Sequence, residues 1–473
     1  MADPRRRPRS GKPRPGRGGK VDQARLLAYD VLVAVREQDA YTNLLLASLL
    51  RERGLTGRDA AFATELVSGT IRRQGTYDAV VAACVDRPLA KVDPAVLDAL
   101  RLGAHQILAM RVPTHAAVST TVELVRQRVG HGPAGFVNAV LRKVAAHDLA
   151  GWVRRVAPDP ASDPTGFAAV AHSHPRWVVD ALAEALGDES ELEPLLSADN
   201  AAPKVSLVAR PGLATVEELV SAGGTASTIS PFAVELASGD PGSVPAVAEG
   251  RAGVQDEGSQ LVALALARVD VEGRDDRWLD MCAGPGGKAA LLAALAAERG
   301  AQVLASERQV HRAGLVKRAT AAATAGLTGV ITADGTAPAW APGTFDRVLV
   351  DAPCSGLGAL RRRPESRWRR SPEDLDDLVP LQERLLRSAL VAVRPGGVVA
   401  YVTCSPVLVE TSDVVRRVLA DRPDAVLDDA APLFAGVPDL HPEQARLPGS
   451  IQLWPHRQGT DAMFFALLRK QQG

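Results

Sequence analysis

Two stretches of this sequence carry reactive residues at the ends of apolar runs. Val348-Leu349-Val350 leads into Asp351-Ala352-Pro353-Cys354-Ser355-Gly356, and Val398-Val399-Ala400-Tyr401-Val402 leads into Thr403-Cys404-Ser405-Pro406. An unbroken run of β-formers ending in an acid, a proline and a thiol reads as a buried parallel strand opening into a functional loop. In an open α/β sheet, ligands bind just beyond the carboxyl ends of the strands. Two such strands can bring two thiols into one crevice, and on geometry alone either thiol could be the nucleophile. A thiol attacks as thiolate, and with an ordinary pKa of about 8.5 only a few per cent is ionised at neutral pH. Nearby positive charge raises that fraction. Lys288 and the run Arg361-Arg362-Arg363 are the candidates for it.

A third chemical stretch is the glycine-rich turn Cys282-Ala283-Gly284-Pro285-Gly286-Gly287-Lys288. A phosphate-binding GxxxxGK loop needs a first glycine where Cys282 stands, and Ser or Thr where Ala289 follows the lysine. The dinucleotide pattern GxGxxG does not fit either. The remaining reading is a turn under a nucleoside-type cofactor, against the bland alternative of a purely structural strand-to-helix turn. Glu307 lies at the next strand end, about twenty residues on, where an acid accepts both ribose hydroxyls. Asp334 follows at the next strand end, placed to face an adenine, and Asp351 at the one after. This ordered set of acids favours the cofactor reading.

Arg361, Arg362, Arg363, Arg367, Arg369 and Arg370 with Trp368 form a basic segment interrupted by an aromatic. Such a segment suits RNA phosphates and a stacked base. Its alternative is a solvated charged face.

These residues need a frame to position them. From Gln255 onward the sequence alternates strand and helix, as in a doubly wound sheet, and ends in a hairpin around Gly459-Thr460-Asp461. Ser259 is placed to cap a helix over Leu261–Arg268. Residues 23–149 read as helical throughout. Leu27, Val31 and Val35 recur at helical spacing, Asp93-Pro94 makes a capped helix start, and Leu97, Leu100, Ala104 and Ile107 follow on one face. Residues 150–250 read as a small α+β linker region, and residues 251–473 as the sheet domain. The first 22 residues read as a disordered basic tail, with no apolar segment of the secretory type.

With 473 residues and 46% hydrophobic content, the chain can bury a sizeable core. Lys+Arg and Asp+Glu balance at 55 each, so nucleic-acid binding must rest on a local patch. No apolar run is long enough to span a membrane. The four cysteines are too scattered for a disulfide framework and lack zinc spacing, which fits a reduced cytoplasmic setting without metal. Cys84, inside Val80-Val81-Ala82-Ala83-Cys84-Val85, reads as a core residue.

The motifs CAGPGGK, DAPCSG…RRRPESRW and YVTCSP resemble those of the bacterial RNA cytosine-5 methyltransferases, in the branch of 16S ribosomal RNA methyltransferase B. GRDAAFATELVSGTIRR and GFVNAVLRKV resemble the NusB-like RNA-binding domain which that branch carries, and VQDEGSQ and GTDAMFF also match. The resemblance implies a Rossmann-like methyltransferase sheet with an all-α NusB-like N-terminal domain. It implies S-adenosylmethionine bound by Cys282–Lys288, Glu307, Asp334 and Asp351. It assigns nucleophilic attack to Cys404 and product release to Cys354, and it implies a monomer acting on RNA, most simply 16S rRNA, in the cytoplasm. By this reading the Cys404 thiolate adds to carbon 6 of cytosine and so activates carbon 5 toward a sulfonium methyl. Asp351 either assists by protonating ring nitrogen 3 or only contacts the cofactor. Arg361, Arg362, Arg363 and Trp368 are expected on the RNA. The same chemistry on transfer RNA, or a non-catalytic RNA-binding assembly factor, are the alternatives. The chain departs from the family pattern in three places. Gly284 stands for the usual Ala, Glu307 for the usual Asp, and Val208-Ala209-Arg210 replaces an Arg-x-Asn pattern.

Overall fold

The helical periodicity of the N-terminal region becomes a set of packed helices. The computed structural model describes residues 22–38, 40–237 and 239–472, and the basic stretch at 1–21 lies outside the described residues. The chain divides into two units. The first runs to Val156, apart from Tyr41–Leu44 and Ile71–Thr76, which belong to the second with residues 157–473.

In the first unit, the Asp93 carboxylate accepts the Ala95 N–H at 2.8 Å and Pro94 opens the helix Pro94–Leu108, as the Asp-Pro pair predicts. The buried residues of that helix include Val96, Ala99, Leu100, Leu102, Gly103 and Ala104. Leu97 and Ile107 are only half-buried, so the inward stripe is rotated from the one expected. Gly103 sits there because a Cβ would lie 2.8 Å from both methyls of Leu141 on the helix Ala134–Val144. Cys84 is buried, as expected of a core thiol.

The second unit opens with short helices and a four-stranded antiparallel sheet. Its strands are β1 (Val205–Ala209), β2 (Gly224–Ala226), β3 (Ala233–Leu236) and β4 (Ala252–Val254), in the order β2-β3-β1-β4. Arg210, in the departing Val-Ala-Arg, is a buried brace that donates to the carbonyls of Gly250 and Ala319.

The larger sheet follows, with β5 (Arg277–Asp280), β6 (Gln302–Glu307), β7 (Leu327–Thr332), β8 (Phe345–Asp351), β9 (Val393–Thr403), β10 (Ala425–Asp428), β11 (Ile451–Gln452) and β12 (Phe464–Lys470). The order is β10-β12-β9-β8-β5-β6-β7, with β11 paired to β12. The pairs from β7 across to β9 are parallel, and β12 runs antiparallel to β9, β10 and β11. Side chains alternate between two cores, as strand geometry requires. Val398, Ala400 and Val402 pack on one face with the helices Glu257–Arg268 and Gly287–Glu298. Val399 and Tyr401 pack on the other with the helix Asp374–Ala392. The strand expected from Val348 begins three residues earlier. Asp346 and Arg347 are fully buried there, because each finds ionic partners: Asp346 takes Arg274 and Arg394, and Arg347 takes Asp275. The cap of Glu257–Arg268 is Asp256, which accepts the Gly258 N–H, and not Ser259, which lies inside the helix.

Beyond β7 the chain returns to the other side of β5 to form β8. The crevice past the carboxyl ends of β5 and β8 is therefore the point where the winding reverses.

The segments Tyr41–Leu44 and Ile71–Thr76 complete the second unit through hydrogen bonds. Trp368 Nε1 donates to the Ile71 carbonyl at 2.9 Å, and the Ser173 hydroxyl accepts the Gly75 N–H at 2.9 Å. A chain starting at Ala157 strands these groups. Each buried polar group left without its partner costs about 1–3 kcal/mol. The truncated chain is expected to unfold roughly 3–10 °C below the full protein in calorimetry. An equal unfolding temperature would show that these contacts add no stability.

Candidate active site

The two thiols meet. Pairing of Asp351 with Val402 brings the ends of β8 and β9 to one level, and the Ala352 N–H continues the ladder to the Val402 carbonyl at 2.9 Å. The Cys354 and Cys404 sulfurs then lie 3.5 Å apart, both partly exposed and unbonded covalently. They differ in proton affinity. The contact with Cys354 draws the Cys404 thiol below its ordinary range, with help from the positive charges of Arg363 and Lys288. The contact with Cys404, burial and the Glu410 charge hold Cys354 well above that range. Of the two, Cys404 is the thiol whose proton is held less tightly.

Beside them, Lys288 Nζ donates to Asp351 Oδ2 at 2.9 Å. Burial opposes the lysine's charge, but Asp351, Cys404 and Asp280 outweigh it and raise its pKa. The glycine turn brings Lys288 here. Gly286 takes φ 117°, and a Cβ on it would lie 2.6 Å from the Ala319 methyl. The helix Gly287–Glu298 starts directly after it, with no side chain capping its first N–H groups.

Acids close the other side. Asp280, at the end of β5, is fully buried, and burial followed by the Asp351 charge pushes its pKa up to about 8. Glu307, at the end of β6, is buried with its Oε1 accepting the Gln309 N–H at 2.9 Å. Arg312 donates to the Gly284 carbonyl at 2.8 Å and lies 3.5 Å from Glu307 Oε2. Asp334, two residues past β7, is half-exposed. Hydrogen bonds from Thr336 hold its pKa down, and Arg308 approaches at 3.6 Å. Cys282 is partly buried in the same turn, and burial raises its pKa.

This crevice fits a cationic nucleoside-type group. A Cβ on Gly284 would come within 2.1 Å of Glu307 Oε2, so the turn leaves open the space that the longer acid occupies. Glu307 and Asp334 offer carboxylates at successive strand ends. A positive ligand beside Asp280 would offset the burial that raises its proton affinity.

Residues 267–469 match the family model "16S rRNA methyltransferase RsmB/F", and residues 22–146 match the NusB family. The chain is 34% identical to "Ribosomal RNA small subunit methyltransferase B" of Xanthomonas campestris, over 94% of this chain and 97% of that one. This chain belongs to the 16S rRNA methyltransferase RsmB/F family. It is also 51% identical to "Putative methyltransferase Rv1407" of Mycobacterium tuberculosis, over 99% of this chain and 98% of that one. Among solved structures, that of PH0851 shares the fold with a TM-score of 0.76, covering 95% of this chain and 98% of the other at 21% identity. The fold expected from the sequence, a methyltransferase sheet with a NusB-like helical region, is the one found. The chain is an S-adenosylmethionine-dependent RNA methyltransferase of this family.

The basic segment needs correction. Arg361 is buried against Asp461 and Asp256 at 3.6 and 3.9 Å. Arg362 pairs with Asp256 at 2.7 Å and with Asp461 at 3.3 Å. Carboxylates already hold both guanidinium groups, so neither is a free phosphate grip. Trp368 is a packing residue that donates to Ile71 and lies so close to Gly75 that a Cβ there would meet its ring at 2.5 Å. Arg367 is fully buried, bonded to the Ser173 carbonyl and to Asn200. Arg363 alone of the four proposed RNA contacts is exposed and lacks a carboxylate partner among the described residues. Its guanidinium lies 5.3 Å from the ring of Tyr41, itself 50% exposed.

The sequence reading missed Asp280, Arg312 and Glu410. Asp280 carried a visible signal, an acid closing the run Trp278-Leu279 before the glycine turn.

Two departures from the family pattern compensate each other. Gly284→Ala alone is expected to push the Glu307 carboxylate aside and weaken S-adenosylmethionine binding about tenfold in calorimetry. The double substitution Gly284→Ala/Glu307→Asp should restore the affinity to within about threefold of the unsubstituted protein. Additive losses in the double variant would show that the two positions are independent.

Proposed function

We propose that this enzyme methylates carbon 5 of a cytosine in 16S rRNA through a covalent Cys404 adduct. The observation that carries the reading is the thiol pair, two sulfurs 3.5 Å apart at the ends of adjacent parallel strands beside the Lys288–Asp351 pair. The name of the Xanthomonas relative favours small-subunit rRNA as the substrate.

Carbon 5 of cytosine is a weak nucleophile. The target base is unstacked from the RNA to reach the crevice. The Cys404 thiolate forms a bond to carbon 6, and the electron pair of the 5,6 double bond moves toward carbon 5 and the N3–C4 unit. Ring nitrogen 3 takes a proton as this happens. Asp351, kept hydrogen-bonded by the Lys288 ammonium, relays to it the proton that Cys404 gives up on ionising and takes that proton back as the adduct collapses. Glu307, Asp334, Asp351 and the turn Cys282–Lys288 hold S-adenosylmethionine, which when bound supplies an electrophilic methyl on sulfonium. The carbon-5 proton then leaves to a base, the double bond re-forms and the S–C6 bond breaks. Cys354 assists here, since a thiol 3.5 Å from the departing sulfur stabilises it as thiolate. Arg363 and Tyr41 form the exposed rim, where an RNA phosphate and a neighbouring base find a cation and a ring.

The two thiols are separable by experiment. Cys404→Ser should abolish methylation and yield no protein–RNA adduct, because a hydroxyl at neutral pH is a far weaker nucleophile. Cys354→Ser should still attack but resolve slowly, accumulating an adduct that survives a denaturing gel and requires both RNA and S-adenosylmethionine. The adduct appearing in Cys404→Ser instead would reverse the roles. Bisulfite sequencing of ribosomal and transfer RNA from a deletion strain identifies the substrate, and loss of a mark in transfer RNA alone would overturn the ribosomal assignment.

A further inference from the structure

Glu410 is fully buried in the short turn Leu408–Glu410, six residues past Cys404. Its carboxylate collects donors from the loops that carry the two thiols. Oε1 accepts the Ser355 N–H at 2.7 Å and the Gln382 amide at 3.1 Å. Oε2 accepts the hydroxyls of Ser355 and of Ser405, the latter at 2.7 Å. The same Gln382 amide donates to the Pro353 carbonyl at 2.8 Å, and Tyr401 donates to the Glu410 carbonyl at 2.7 Å. Ser355 follows Cys354 and Ser405 follows Cys404, and their hydroxyls lie 3.0 Å apart.

A buried carboxylate is strongly disfavoured unless donors surround it. An apolar residue of similar size would fill this space without that penalty. Here four charge-assisted bonds converge, and three of them come from the residues that immediately follow the two cysteines. We propose that Glu410 is a positioning residue that clamps the two cysteine loops together and keeps negative charge on the Cys354 side, so that Cys404 is the thiol that ionises. The proposal rests on the Cys404 adduct reading and adds the group that sets the thiol roles. It fits the electrostatics, since the Glu410 charge works against ionisation of Cys354. The other charged groups facing the thiols are Asp351 as an anion and Lys288 and Arg363 as cations. None of these three bridges the two loops by hydrogen bonds.

The test is alkylation of the full-length protein by iodoacetamide across pH 6 to 9, with Cys354 and Cys404 quantified separately by peptide mass spectrometry. The unsubstituted protein should label at Cys404 first; preferential labelling of Cys354 there would sink the nucleophile assignment itself. Glu410→Gln keeps the volume and removes the charge. It should lower Cys404 labelling at pH 7 about tenfold, move its profile toward alkaline pH and raise the Cys354 share. In turnover it should lower kcat with KM for RNA and Kd for S-adenosylmethionine within about threefold. A folded Glu410→Gln protein with an unchanged Cys404-to-Cys354 labelling ratio overturns the proposal. Should Glu410→Gln fail to fold, Ser355→Ala and Ser405→Ala each remove one strut and leave the charge in place. Both should shift the ratio in the same direction, and no shift in either overturns the clamp.

Discussion

The site depends on the pairing of β8 with β9. Two parallel neighbours in register leave the sheet at the same level, so residues a few positions beyond each strand end are brought together whatever their separation along the chain. Asp351 opposite Val402 sets that level. The loops stay in step past the sheet: the Gly358 N–H reaches the Cys404 carbonyl at 2.9 Å. Gly358 can sit there only without a side chain, since a Cβ would lie 2.1 Å from the Ala462 carbonyl oxygen and 2.8 Å from that of Cys404. A slip of one residue in this pairing would turn every side chain of β9 from one core to the other. The two cores fix the register, and the register fixes the sulfur–sulfur distance.

This explains which parts of the protein were legible in its sequence. The strand runs ending at Asp351 and Thr403 are apolar on both faces, a pattern that few structures other than a central parallel strand satisfy. The acids at successive strand ends and the glycine turn are local signals, and so is the Asp-Pro helix start. The fate of Arg361 and Arg362 was not legible. Their partners, Asp256 and Asp461, lie about a hundred residues away on either side and approach only after the sheet closes. A run of arginines looks the same in sequence whether carboxylates or phosphates hold it. Glu410 was hidden for a related reason. A lone acid in Val407-Leu408-Val409-Glu410 reads as the polar end of an apolar run, and its four donors come from residues 355, 382 and 405.

The departures at 284 and 307 show how a local rule is replaced by a pairwise one. Taken separately, a glycine loosens the turn and a glutamate overreaches its position. In three dimensions the missing Cβ of Gly284 is the space into which the extra methylene of Glu307 carries its carboxylate. Arg312 holds both, donating to the Gly284 carbonyl and facing Glu307. The strand-end acid is thereby kept at the crevice with a longer arm.

The charge pattern of the crevice divides the labour between its two halves. Asp280, Glu307 and Asp351 gather three acids around the carboxyl ends of β5, β6 and β8, and burial followed by the charges of the other two raises the proton affinity of Asp280. That half attracts a cation. The sulfur of Cys404 needs the opposite field, because a thiolate among acids would take up a proton. Lys288 stands at the border between them, bonded to Asp351 on one side and lowering the proton affinity of Cys404 on the other. Arg363, which is exposed, lowers that affinity by more than Lys288 does, and the Cys354 contact by more than either. Without Lys288 the Asp351 charge, which already raises the proton affinity of Cys404, would meet one cation fewer. A lysine placed by a glycine turn therefore stands between a crevice lined by acids and a thiol of lowered proton affinity at adjacent strand ends.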